Sequence, residues 1–240
     1  MRLKLLSILA FALMALPFSA YAQETTPCDA TFQTYNADKN ACVLTMQMEV
    51  YLELPADLAE YPTVAEQINS LLNEQFAQVN GIFAETFADR LYLPGPHSLY
   101  VTYEAYPYSD TLMAYAVDVS TFTGGAHPNT VRITYSFDPI TDTVYSLSDL
   151  LESDVDIVDA LASFAQENLA EQLGGGADPE WIAQGTDEIP DFANFALTAD
   201  GLIIFFNQYQ VAPYAAGILQ VVYPLESLEG ILKEEFLSLG

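Results

Sequence analysis

The chain has 240 residues, of which 33 are acidic and 6 basic, for a formal net charge of −27. A field of that sign repels nucleic acid and anionic lipid and attracts cationic partners. Disorder does not follow from it. With 51% hydrophobic and 12% aromatic residues the chain can build a core, and its length suits one large domain or two small ones.

Residues 1–22 read as a secretory signal. Arg2 and Lys4 precede an apolar run from Leu5 to Phe18, and Ala20-Tyr21-Ala22 supplies the small-x-small cleavage pattern. The run is short for a membrane span, which needs roughly 20 apolar residues. Cleavage is expected after Ala22, with no Cys directly following to carry a lipid. No later segment is long and apolar enough to cross a bilayer, so the expected location is periplasmic or secreted. Removal of the segment takes two of the 6 basic residues and none of the 33 acidic ones, leaving −29. Only Lys39, Arg90, Arg132 and Lys233 then remain positive.

Cys28 and Cys42 are the only cysteines. In an oxidising compartment an even pair is most simply one disulfide. It would close a loop worth about 3 kcal/mol in the chain-entropy picture and staple a hairpin over residues 23–42 around Tyr35–Asn40. Their spacing fits neither a CxxC redox pair nor a zinc pattern.

The remaining pattern predicts an α+β fold, with antiparallel sheet packed by a long helix in the N-terminal half and a second helix in the C-terminal half. A β-leaning segment runs from Cys42 to Leu54. Thr63 and Glu66 form a capping-box pair, and Val64, Ile68, Leu71, Leu72, Phe76, Val79, Phe83 and Phe87 recur at helical spacing as a core face. Two strands follow, around Leu99–Tyr103 and Met113–Val119, split by a turn at Pro107–Asp110. Thr123-Gly-Gly-Ala-His-Pro-Asn129 leads into a third strand, Val131–Phe137, which makes a meander.

After a turn at Asp138–Asp142, Ser148 is placed to cap a short helical piece at Asp149–Leu151. A stronger helix is predicted from Val155 to Leu173, ended by Gly174-Gly175-Gly176. A loop-rich stretch with Trp181 precedes a hairpin that pairs Phe195 and Leu197 with Leu202–Phe206 across Ala199-Asp200-Gly201. A strand at Ile218–Tyr223 and a helix at Leu225–Phe236 close the chain.

Two loops carry the functional signal: Thr123–Asn129, and Asn207-Gln-Tyr-Gln-Val-Ala-Pro-Tyr-Ala-Ala-Gly217. Each sets Gly and Pro beside polar or aromatic groups, so each reads as a shaped loop between strands. His127, Asn129, Tyr209 and Tyr214 are the candidate binding residues. Together with Phe137-Asp138, Leu147-x-Asp149-Leu150 and Asp200-Gly201-Leu202, these loops resemble the exported region of RsiV-like anti-sigma factors. That region is built from domains of unknown function of families 4163 and 3298. The resemblance covers roughly Val43 to Phe236, with residues 43–122 similar to the first family and 123–240 to the second. It implies export, cell-wall biology and lysozyme as a partner. The transmembrane and cytoplasmic parts of such factors have no counterpart in these residues, nor does the catalytic domain that follows a related domain in a peptidoglycan deacetylase.

No catalytic set emerges. There is no GxSxG elbow or SxxK, and no cofactor is implied. For a metal, His127 and His97 are the only histidines, fewer than a zinc site usually needs. His127 on its glycine-flanked loop suits acid–base work, or else simply bonds to neighbouring backbone. Asp154, Asp156 and Asp159 lack the EF-hand glycine and read as first-turn acids that offset a helix dipole. Tyr100, Tyr103, Tyr106 and Tyr108 offer an aromatic platform, but strand alternation sends part of that set to the core. Three readings stay open. One is a non-catalytic binder of a cationic protein such as lysozyme. Another is a peptidoglycan-acting enzyme or glycan-binding domain that uses His127 and nearby carboxylates. The third is an acidic structural envelope protein.

Overall fold

The computed structural model describes residues 33–36, 41–44, 48–89 and 97–237. The expected signal segment and its cleavage point, Cys28 of the expected Cys28–Cys42 bridge, and residues 37–40 of the expected Tyr35–Asn40 turn lie outside them. The chain divides into two compact units, residues 1–47 with 90–92, and residues 48–89 with 93–240. In the first, β1 (Gln33–Asn36) pairs antiparallel with β2 (Ala41–Leu44), with Tyr35 opposite Cys42.

The second unit is α+β. It begins with β3 (Met48–Leu52), α1 (Pro62–Asp89), β4 (His97–Ser109), β5 (Leu112–Phe122), β6 (Asn129–Asp138) and β7 (Thr143–Tyr145). These strands form one five-stranded sheet in the order β3-β4-β5-β6-β7. The meander pairs antiparallel as expected. β3, however, joins β4 in parallel, with Met48 opposite His97. The crossover through α1 makes this possible, since a parallel pair needs a long connection. β4 also runs through the expected turn at Pro107, and a register shift between Pro107 and Ser109 absorbs the missing donor.

Val64, Ile68 and Leu72 of α1 pack on Leu99, Val101, Tyr115, Val117, Val119 and Phe137. Phe76, assigned to the same stripe, is 45% exposed. Asp142, in the β6–β7 turn at φ 55°, accepts from the Thr63 N–H at 2.5 Å and so caps α1 from 79 positions away.

The other face of β5 shows Ala114, small enough for a second sheet to approach. That sheet has the order β10-β9-β8, from β8 (Phe195–Thr198), β9 (Gly201–Phe206) and β10 (Leu219–Tyr223). Ala114 meets Ala196, Ile203 and Phe205. The opposite side of β9, with Leu202, Ile204 and Phe206, packs on Leu161, Ala165 and Leu169 of a helix at Ile157–Leu173. Every residue of β9 is buried, which accounts for its unbroken apolar run.

Two short helices flank that helix: α2 (Leu147–Leu150) before it and α4 (Pro179–Gln184) after it, so the long one is α3. Asp156 caps α3, accepting from the N–H groups of Val158 and Asp159, and Asp159 sits in the first turn, whereas Asp154 lies in the turn before the helix. Ser146, not Ser148, caps α2, in a reciprocal box with Asp149. The stretch expected to be loop around Trp181 contains α4, started by Asp178 with Pro179 behind it. The closing helix splits into a 3-10 turn at Leu225–Leu228 and α5 (Glu234–Leu237), separated by Gly230 at φ 75°. No helix among the described residues is long and apolar enough to cross a membrane.

Candidate functional site

The edge of β6 builds the site. β7 pairs with only its last three residues, so the earlier N–H groups on that edge need other partners. Side-chain amides supply them. Asn194 Oδ1 accepts from Thr134 N at 3.1 Å, Asn207 Oδ1 from Arg132 N at 2.6 Å, and Gln208 Oε1 from Thr130 N at 3.1 Å. Asn207 Nδ2 also donates to Arg132 O at 3.0 Å. The loop after β9 is thereby laid along the strand that leaves the Thr123–Asn129 loop. Two motifs about 80 positions apart in sequence become neighbours.

Within Asn207–Gln210 all three amide side chains are committed. Gln210 Nε2 donates to Gly185 O and Asp191 O, and its Oε1 accepts from Asn207 N. Tyr209 alone is turned outward, 48% exposed, at φ 66°. A left-handed conformation is unusual for a bulky side chain and is held only where the surroundings over-determine it. Here the Trp181 Nε1–H donating to Tyr209 O at 3.1 Å adds to that restraint. Gly185 is required by close approach, because a Cβ there would collide with the Gln210 carbonyl oxygen.

His127 stacks on Tyr214 with centroids 3.6 Å apart and planes 16° from parallel, and Tyr209 lies 5.9 Å from Tyr214. Gly124 and Gly125, at φ 97° and 122°, let the first loop make this turn. His127 is exposed, and its Nδ1 is 2.9 Å from Pro128 O. A carbonyl only accepts, so Nδ1 carries the proton in the neutral ring and Nε2 is the open nitrogen. Of the candidate residues, His127, Tyr209 and Tyr214 come together as a three-ring shelf. Asn129 is exposed at the start of β6 beside it. The supporting residues Trp181, Gln208 and Gln210 were not singled out from sequence, although three amides crowded around one tyrosine were a readable signal.

Among the described residues no carboxylate bonds to His127, and no three His, Cys, Asp or Glu side chains are arranged to hold a metal. His97, the other histidine, is 1% exposed, edge-on to Phe83 at 5.4 Å, and neither ring nitrogen makes a well-formed hydrogen bond. Burial lowers its pKa below the usual imidazole value, and the nearby Thr123 backbone only partly offsets this. The β4 tyrosine platform does not form either. Tyr103 packs on Tyr115, Tyr106 on Phe205, and Tyr108 donates to Phe236 O, leaving Tyr100 facing out.

Further along β6, Arg132 is enclosed by acids. It makes a two-pronged contact with Asp118 at 2.8 and 2.7 Å, reaches Glu104 at 3.1 Å, and lies over the Phe205 ring at 5.0 Å. The Asp118 hydrogen bonds outweigh burial and hold its pKa above the ordinary arginine value. Tyr106, which donates to Glu104, is pushed up to about 12, first by burial and then by that carboxylate.

Comparison with known proteins places both loops. Residues 148–226 match the family described as "Protein of unknown function (DUF3298)", and residues 29–130 match the one described as "Deacetylase PdaC". The chain is 28% identical over 143 residues to the peptidoglycan-N-acetylmuramic acid deacetylase PdaC of Bacillus subtilis (strain 168), covering 59% of this chain and 31% of that protein. It is 31% identical over 109 residues to the immunogenic protein MPT64 of Mycobacterium tuberculosis (strain ATCC 25618 / H37Rv), covering 45% and 47%. The chain thus spans less than half the length of these curated relatives. A DUF3298 protein from Bacteroides fragilis NCTC 9343 has a similar fold, with a TM-score of 0.52 at 20% identity over 78% of this chain and 73% of that one. The His127 loop lies within the residues that match the PdaC family, and the Tyr209 and Tyr214 loop within those that match DUF3298.

Proposed function

We propose that this chain is an exported, envelope-associated binding protein whose acidic surface and aromatic shelf engage a cationic protein. Lysozyme is the example implied by the RsiV-like resemblance. The observation that carries the reading is the shelf itself. Exposed His127 stacks on half-buried Tyr214, exposed Tyr209 lies tilted beside that ring, and among the described residues no carboxylate bonds to His127. Tyrosine faces attract ammonium and guanidinium groups, and rigid aromatic anchors dominate many protein interfaces. A net charge of −27 adds long-range attraction for a basic partner and speeds encounter. The envelope setting rests on the signal-like residues 1–22 and on the peptidoglycan named in the PdaC relative.

Titration of the full chain with lysozyme tests this at roughly 10 and 150 mM salt, where the screening lengths are roughly 30 and 8 Å. Saturable binding is expected at both, weaker at the higher. Tyr209→Ala and Tyr214→Ala should each weaken it by about tenfold, as for an interface anchor. Absence of saturable binding at either salt ends the reading.

A second reading, glycan binding or peptidoglycan chemistry at His127, is favoured by the open Nε2 on an exposed stacked ring. Turnover of peptidoglycan that His127→Ala abolishes, with thermal unfolding unchanged, would replace the first reading with this one.

A further inference from the structure

A cleft of about 460 Å³ opens where the β4–β5 turn, β7, α2 and the C-terminal segment meet. It shares no residue with the shelf and is of a size common for small-molecule sites. Its floor is the edge-to-face pair Tyr145–Phe236, centroids 5.8 Å apart. Around that floor stand Lys233, Asp149, Glu235 and the hydroxyl-bearing Thr111.

Lys233 and Arg132 are the two cations among the residues whose side chains are described. Arg132 is taken up by Asp118 and Glu104, with its plane over Phe205. Lys233 differs. Its Nζ donates to the backbone carbonyl of Asp149 at 2.6 Å and forms no ion pair among the described residues, which leaves two of its three N–H donors for a ligand. It is also anchored: its backbone N donates to Leu150 O, and Leu151 bridges to Leu232 beside it. Among the described residues this is where a ligand carboxylate can find an ammonium with spare donors.

A simple anion is nonetheless a poor fit. Asp149 and Glu235 line the same cleft, and the Tyr145 phenol there has its pKa raised first by burial and then by the charges of Asp138, Glu235 and Asp149. Asp149 itself stays charged, its pKa lowered first by the Ser146 hydroxyl and backbone and then by Lys233. A ligand that satisfies Lys233 must therefore bring its own positive charge to offset the two acids.

We propose that this cleft is a binding site for a small zwitterion, an amino acid or dipeptide. Its carboxylate meets Lys233 and Thr111, its ammonium meets Asp149 and Glu235, and an apolar side chain lies on Tyr145 and Phe236. The site stands on observations independent of the shelf.

Calorimetric titration of the full-length protein with the dipeptide Ala-Phe tests the assignment. Saturable 1:1 binding is expected. Acetylating the dipeptide N-terminus or amidating its C-terminus should each weaken it by about tenfold or more, the scale of one lost charge-assisted contact. Lys233→Gln should remove the preference for the free carboxylate, and Lys233→Arg should keep it, with thermal unfolding checked for both. Free phenylalanine binding with the same charge dependence would identify the amino acid as the ligand. Absence of saturation at about 5 mM dipeptide, near the limit of weak specific binding, overturns the proposal. So does equal affinity for the free and capped forms.

Discussion

At the residue scale, two groups with displaced pKa values predict how stability depends on pH. His97 is buried with its pKa lowered, so the unfolded chain binds its proton more readily than the folded one. Its contribution is complete above the unfolded value near about 6.5 and is lost as pH falls toward the lower folded value. Asp142 also has a lowered pKa: desolvation raises it, but the Thr63 hydroxyl and the Thr63 and Val64 N–H groups more than reverse that. Its contribution is complete above the unfolded value near about 3.9 and is lost as pH falls further. Urea midpoints measured from pH 8 to pH 3 should therefore show two losses. His97→Phe should remove only the first, and Asp142→Asn only the second. Asparagine tolerates the positive φ at that turn, so the second change isolates charge from conformation. A single acid limb unchanged by either substitution would contradict both assignments.

Among elements, the β8–β9 hairpin shows why a glycine can be legible for the wrong reason. Asp200-Gly201 reads as a turn pair, but the two residues between the paired Thr198 and Gly201 are Ala199 and Asp200. Gly201 is the first residue of β9, at φ 142°, and a Cβ there would collide with the Tyr223 carbonyl of β10. Gly201→Ala combines backbone strain with a steric clash. It should cost more than about 2 kcal/mol in urea denaturation, well above a surface substitution. Gly81→Ala makes the control. Nothing lies within 4 Å of a Cβ at that helical position, and the change should stabilise by about 0.5–1 kcal/mol. The same contrast separates readable elements from hidden ones. The stripe of α1 and the cap and glycine stop of α3 are local, so their spacing reveals them. β7 and the split end at Leu225–Leu237 are held by contacts with distant segments, and short elements carry too little period to detect.

For the molecule as a whole, the charge of −27 means that folding gathers like charges into a smaller volume. Added salt screens that repulsion, so the melting temperature should rise between roughly 10 mM and 1 M sodium chloride, as the screening length falls from roughly 30 to 3 Å. A flat or falling melting temperature would show that local pairing, not overall repulsion, governs the charge energetics. The same screening should weaken capture of a basic partner, so stability and binding are expected to move in opposite directions with salt.

Composition and periodicity were enough to determine an α+β chain with a strong negative field, two main helices, a meander and two shaped loops. Each is a property of neighbouring residues, and the chain cannot form them otherwise at acceptable local cost. Tertiary structure decided the parallel placement of β3, the burial of β5 on both faces and the meeting of His127 with Tyr214. It also decided which of the two described cations keeps free donors. Those outcomes depend on which groups find partners across about 50 positions or more, and no short window of sequence contains both sides of such a contact.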